Sequence, residues 1–316
     1  MMPKSALTAA GRLCPRPALF LFALTLLAAA QILGARAAPT QDSLPFDQGL
    51  LWRIETPGAA PSFLFGTMHA TDPAVLELPP PVAEALGAAE SVTLEMIATD
   101  EVSRRMAEAM VLKDGRTLEG IIGDERFEAA LEAAAKYGLP EQLLQVYAPW
   151  AAMTVLSIVP EEFKRLSAGA LPLDQALQAH AQRRGLAIHG LESVEEQIAI
   201  FSNVPEAEQI ELLEMTLREH ARIADWYYQI KDAYLAGNTG MIYQLMRLQA
   251  TGADPGLIAA FEERLIDRRN RRMAARLTDR LDEGRTFVAI GALHLSGEDG
   301  VLALLERQGR KVTRVY

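Results

Sequence analysis

The chain has 316 residues, half of them apolar and only 6% aromatic, enough for one large globular domain or two small ones with a sizeable core. Ala and Leu supply most of the apolar residues, so helix is expected to dominate. A formal charge of -10, with no basic block that suggests nucleic-acid binding, argues against nucleic acid as a partner, because an acidic chain is repelled by phosphate backbones.

Lys4, Arg12 and Arg16 precede an apolar run from Pro17 to Ala30, and Ala35-Arg36-Ala37 follows as a small-x-small cleavage pattern. Together these read as a secretory signal peptide over residues 1–37, which predicts a periplasmic or secreted protein over 38–316. The alternative is an uncleaved N-terminal anchor, against which the run is short of the roughly 20 residues that a spanning helix prefers. Cleavage removes Lys4, Arg12, Arg16 and Arg36 and takes the formal balance from -10 to -14. It also removes Cys14, the chain's one cysteine, and with it disulfides, thiol nucleophiles and thiolate ligands. No stable membrane span is expected after cleavage.

Beyond a polar linker over 38–49, Leu50 to Glu55 and Ser62 to Phe65 read as strands of a hairpin closed by Thr56-Pro57-Gly58. Pro79 to Glu90 reads as a helix and Ser91 to Glu95 as a third strand. Helical patterns then cover most of the chain, with Leu186 to Gly190 as a strand among them and breaks at Pro149, Gly237 and Gly252-Ala253-Asp254-Pro255. Thr286 to Ile290 is an apolar strand, Gly300 to Gln308 a helix and Lys311 to Val315 a last strand. This order predicts an α/β fold: a mixed, mostly parallel sheet formed by both chain ends, with a large helical insertion over about 97–285. The strands near residues 63, 92, 188 and 288 are expected in one sheet with their carboxyl ends on one edge.

Each of those four strand ends carries a group able to bind metal or move a proton. Gly66-Thr67-Met68-His69 follows one, Glu95 the second, His189-Gly190-Leu191-Glu192 the third and Gly291-Ala292-Leu293-His294 the fourth. In open α/β sheets ligands bind at this edge. The glycine of each G-x-x-H permits a sharp exit and a close backbone approach, so that the histidine can point over the edge. Two imidazoles and a carboxylate leave a cation an open coordination position, which is what water activation requires. A single strand-end His or Glu is more often structural, so the argument rests on the four groups together. His189 reads as a core histidine, and His180 and His220, on charged helices, as surface residues. The run Asp267 to Arg272 reads as a solvated face, or as one that aims a single guanidinium at the site. Trp150, Trp226, Tyr227 and Tyr228 read as core rather than pocket. H-E-x-x-H, G-x-S-x-G, P-loop and dinucleotide-binding patterns are absent from the sequence.

Leu64-Phe65-Gly66-Thr67-Met68-His69 resembles the first motif of the TraB/GumN family, and Ala289 to Gly300 resembles its C-terminal motif. Gly309-Arg310-Lys311-Val312, Leu94-Glu95, Gly190-Leu191-Glu192 with Gln197, Arg269-Asn270 and Asp174 match further landmarks in order. The resemblance implies an erythromycin-esterase-like or ChaN-like fold with helical insertions. Its animal Tiki members are membrane-anchored, metal-dependent proteases, and bacterial members are tied to exopolysaccharide production, conjugation or pheromone control. Carried over, His69, His294 and Glu95 would be the metal-binding set. Glu95, Glu192, Arg269 and Asn270 would take part in the chemistry, with Gln197 supporting them. The expectation is a hydrolase, a peptidase acting on a peptide or protein, dependent on a divalent ion such as Mn, Co or Zn. In that reading Glu95 is a third ligand or the general base, and Arg269 stabilises the oxyanion. The rival is a non-catalytic exported protein that sequesters a peptide, haem or a saccharide, linked to exopolysaccharide production.

Overall fold

A computed structural model describes residues 44–249 and 254–316. The expected signal peptide, its cleavage point and Cys14 lie outside the described residues. Six strands form one sheet: β1 (Leu51–Glu55), β2 (Ser62–Thr67), β3 (Ser91–Leu94), β4 (Ala187–Gly190), β5 (Thr286–Gly291) and β6 (Lys311–Arg314). Their order is β4-β3-β5-β2-β1-β6. Neighbours from β4 to β2 pair in parallel, and β1 pairs antiparallel with both β2 and β6. The expected hairpin and the sharing of one sheet by both chain ends are thus observed. Gly58, at φ 81°, makes the hairpin turn.

Both faces of the sheet are covered, which is why β5 reads as a continuous apolar run instead of an alternation. Alternate residues nonetheless go to different layers. Phe65, Val92, Leu94, Phe287 and Ala289 face a core built with the helices between β3 and β5, among them Trp150, Phe127 and Tyr227. Leu64, Val288 and Ile290 face the other way, onto Met273, Leu277 and Leu281 of the helix Arg268–Glu283 and Val301, Leu302 and Leu305 of the helix Val301–Arg307. Among the described residues, the regular elements between β3 and β5 are helices apart from β4, which joins the sheet edge, and an isolated bridge between Val111 and Tyr147. Among the described residues no helix is long and apolar enough to cross a membrane.

Two side chains depart from expectation. His220 is not on the surface but only 5% exposed. A 3-10 turn, His220–Arg222, redirects the chain inward there, and Nε2 of His220 meets the Tyr137 hydroxyl at 2.8 Å. The charged neighbours Arg218 and Arg222 hide this in the sequence. His180 is half-buried, as is His189, whose Nε2 lies 3.3 Å from Nη1 of Arg280. Trp150, Trp226 and Tyr227 are core residues, but Tyr228 is exposed.

Candidate functional site

The parallel strands bring their carboxyl ends level. Thr67 of β2 stands opposite Gly291 of β5, and Leu94 of β3 opposite both Ala289 and Gly190. The β3–β4 ladder continues past the strands, with Leu191 N–H on Leu94 O at 2.9 Å and Glu192 N–H on Glu95 O at 2.7 Å. Glu95 and Glu192 therefore sit side by side. After Gly291 a single 3-10 turn, Ala292–His294, folds the second histidine back over the edge.

Both imidazoles are held through Nδ1. His69 Nδ1 lies 2.5 Å from Oδ2 of Asp174, in the first turn of the helix Leu173–Arg183, and the other oxygen of Asp174 accepts the Thr67 hydroxyl at 2.7 Å. His294 Nδ1 lies 2.6 Å from Oδ1 of Asn270, whose amide nitrogen donates to Asp299 O at 2.9 Å. That second bond fixes the amide, so His294 carries its proton on Nδ1 and turns a lone pair outward from Nε2. The loop after His69 is anchored separately: Glu162, buried in the helix Pro160–Ser167, accepts the Thr71 N–H at 2.9 Å, the Thr71 hydroxyl at 2.5 Å and the Tyr227 hydroxyl at 2.5 Å.

Arg269, fully buried, ties the acidic half together. Its Nε donates to Glu192 at 3.0 and 3.2 Å, and its Nη2 to Glu192 at 2.8 Å and to Oε2 of Glu95. Its Nη1 donates to Leu265 O at 3.3 Å and faces His294 Nε2 at 3.0 Å. Every edge of the guanidinium is used. Oε1 of Glu95 accepts the Gly291 N–H at 2.6 Å. Glu192 has two more donors, Arg272 and Gln197. The helical phase explains the basic run: Arg269 and Asn270 point inward, while Arg268 and Arg271 are exposed.

These contacts set the charges. Burial opposes ionisation of Glu95 and Glu192, but Arg269 overrides it and holds both carboxyls below their ordinary pKa. Burial, helped by Arg269, pushes His294 down to about 4, so that ring is neutral. Burial pulls His69 the same way, yet the Asp174 carboxylate prevails and its pKa is raised.

Gly291 is the floor of the site. A methyl placed on its α-carbon would stand 3.2 Å from Glu95 Oε1, 3.5 Å from His294 Cδ2 and 3.9 Å from His69 Nε2. Its φ of -54° suits any residue, so the glycine is needed for room and not for a left-handed turn. Gly66 has a similar reason, since a methyl there would meet Leu295 Cδ1 at 2.6 Å. The donor set fits a divalent cation in kind: two imidazoles with Nδ1 occupied, as metal-binding histidines have, and a carboxylate, all close to Gly291. Among the described residues, however, no three His, Cys, Asp or Glu side chains stand close enough to form a ligand cluster. His294 Nε2 and Glu95 Oε1 are 3.9 Å apart, and Arg269 contacts both residues.

The structure thus brings together His69, Glu95, Glu192, Arg269, Asn270 and His294, with Gln197 at the side of Glu192. Sequence reasoning missed that Asp174 holds His69, that Thr67 holds Asp174 and that Arg272 joins Glu192. Asp174 stands out in the sequence as a family landmark at a helix start, but nothing there points to His69 as its partner.

Comparison with known proteins gives two matches. The TraB/PrgY/gumN family model matches residues 50–314. Metalloprotease TIKI2 of Danio rerio is 24% identical over 313 residues, covering 83% of this chain and 60% of that protein. The chain therefore spans less than two thirds of the length of that relative. No solved structure matches it.

Proposed function

Because the chain belongs to the TraB/PrgY/gumN family, we propose that it is a metal-dependent hydrolase that cleaves peptide bonds and works after export, in the periplasm or outside the cell. The observation that carries this reading is the convergence of Glu95 Oε1, His294 and His69 Nε2 on Gly291. The similarity to a metalloprotease supports it.

His69, His294 and Glu95 would hold the cation, Mn, Co or Zn. When bound, it supplies Lewis acidity toward a carbonyl and toward water. The residues of the chain do the rest. Asp174 and Asn270 fix the rings and keep Nε2 turned to the site. Gly291, without a side chain, lets Glu95 and both histidines close in on its α-carbon. Glu95, held ionised by Arg269, is a weak proton acceptor near neutral pH, so ligation suits it better than general-base work. The residues are shielded from bulk solvent: His69, Glu95, Glu192, Arg269 and His294 are each at most 7% exposed.

The test is metal analysis of the purified protein, followed by cleavage of an unbiased peptide library with and without chelator. Turnover lost on chelation and restored by one ion supports the proposal. Saturable peptide binding that ignores chelator and gives no product would favour the sequestering protein instead.

A further inference from the structure

The acidic half of the site already holds a cation. We infer that the Arg269 guanidinium and a divalent metal are alternative occupants of the same charge position, so that Arg269 stabilises the metal-free protein and must withdraw from His294 and Glu95 for metal to bind. This rests on the metal reading of the site given above.

Three observations carry it. First, Arg269 Nη1 donates to the very lone pair, His294 Nε2, that a metal would need, and Nη2 donates to Glu95. A nitrogen lone pair serves one hydrogen or one metal, not both. Second, the charges of the cluster already cancel: Glu95 and Glu192 are matched by Arg269 and Arg272. A dipositive ion added with Arg269 in place would leave an uncompensated excess in a buried volume, which is costly. Third, withdrawal leaves both carboxylates with partners. Glu192 keeps Arg272 and Gln197, and Glu95 keeps the Gly291 N–H. Arg269 also lies just after a π-helical turn, Glu263–Asp267, and donates to Leu265 O within it. Such turns hold one residue more than an α-helical turn and are frequent at functional sites, where a shift in register can swing a side chain.

The experiment compares wild type with Arg269→Met and Arg269→Lys, using Arg268→Met as the control at an exposed neighbour. Each protein is dialysed against chelator, titrated with Mn²⁺ and Zn²⁺ by calorimetry, and melted with and without each ion. The inference expects wild type and Arg268→Met to melt high without metal and to shift little with it. Arg269→Met should melt lower in chelator, gain more than about 5 °C with metal, and bind at least tenfold tighter than wild type, as expected when a metal replaces a missing cation. Arg269→Lys keeps a point charge without the fork that spans Glu192, Glu95 and His294, and should also bind tighter than wild type. It decides the matter if Arg269→Met does not fold. Equal or weaker binding by the folded Arg269 variants overturns the inference. Turnover that needs metal, with equal affinity in all proteins, would sink this inference and leave the proposed function standing. Tight binding only in the variants, with wild-type turnover indifferent to chelator, would do the reverse.

Discussion

His69 and Asp174 are 105 residues apart in the chain, yet the ring nitrogen of one stands 2.5 Å from the carboxylate of the other, both buried. A residue that orients a metal-binding imidazole typically contributes 10–100-fold to affinity without touching the metal. Asp174→Asn is expected to weaken Mn²⁺ or Zn²⁺ binding by about that much while the circular dichroism spectrum stays unchanged. Calorimetric titration decides it, and unchanged affinity would make the contact purely structural.

The histidines themselves should be less dispensable. His69→Ala and His294→Ala are each expected to remove most of the metal affinity, because three protein ligands cannot easily spare one. His180→Ala, half-buried on the same helix as Asp174, is the control and should leave the titration as it is. Equal affinity in all of them would show that the strand-end histidines bind no metal.

Gly291→Ala adds a methyl at the one point that Glu95, His294 and His69 all face. The backbone there accepts any residue, so the melting temperature should fall by only a few degrees, as for a change of about 1–2 kcal/mol. Metal affinity and turnover should fall at least tenfold. A variant that binds and turns over like wild type would remove Gly291 from the site.

Acid should weaken the metal-free fold. His294 and His220 are both held near pKa 4, by burial above all, with Arg269 and Lys136 respectively adding to it. The unfolded rings titrate near 6.5, so between pH 6.5 and 4 the unfolded chain takes up protons that the native one refuses. Stability is then present above 6.5 and lost as pH falls toward 4, by up to about 3 kcal/mol for each ring. His69, raised instead, contributes the other way: its stability is complete below 6.5 and fades as pH rises through its folded value. Denaturant unfolding across this range should show a falling stability that His220→Gln makes less steep. Unchanged steepness would mean that His220 titrates alike in both states.

Glu162 accepts from Thr71, Tyr227 and Arg165. Glu162→Ala leaves those donors buried without an acceptor and should cost about 3 kcal/mol, measured by denaturant unfolding. A loss under about 1 kcal/mol would mean that water replaces the carboxylate.

The sheet was legible because its central strands are short runs rich in apolar residues, each followed closely by a glycine or a carboxylate, and because parallel strands aim those ends at one edge. The histidine pair was legible for the same reason, with Gly291 and Gly66 marking where backbone and ring come close. The partners of those rings were not. Asp174 and Asn270 act across 105 and 24 residues of chain, and helix phase alone separates the inward Arg269 from the outward Arg268. His220 was misplaced because its neighbours in sequence are charged while its neighbours in space are Tyr137 and the helix ends it joins.

The strand order has a bearing on how the molecule is made. β5, which follows the long helical segment, lies between β3 and β2, which precede that segment. Until residues 286–291 have left the ribosome, the early strands can form only the hairpin β1–β2 and the short pair β3–β4, with nothing joining them. His69 and Glu95 therefore remain on separate pieces, and His294 arrives with the strand that unites them. Assembly of this kind depends on distant pairing and is slow. It also makes the arrival of β5 the condition for having a site at all: a nascent chain that stops short of residues 286–291 carries none of the joined geometry.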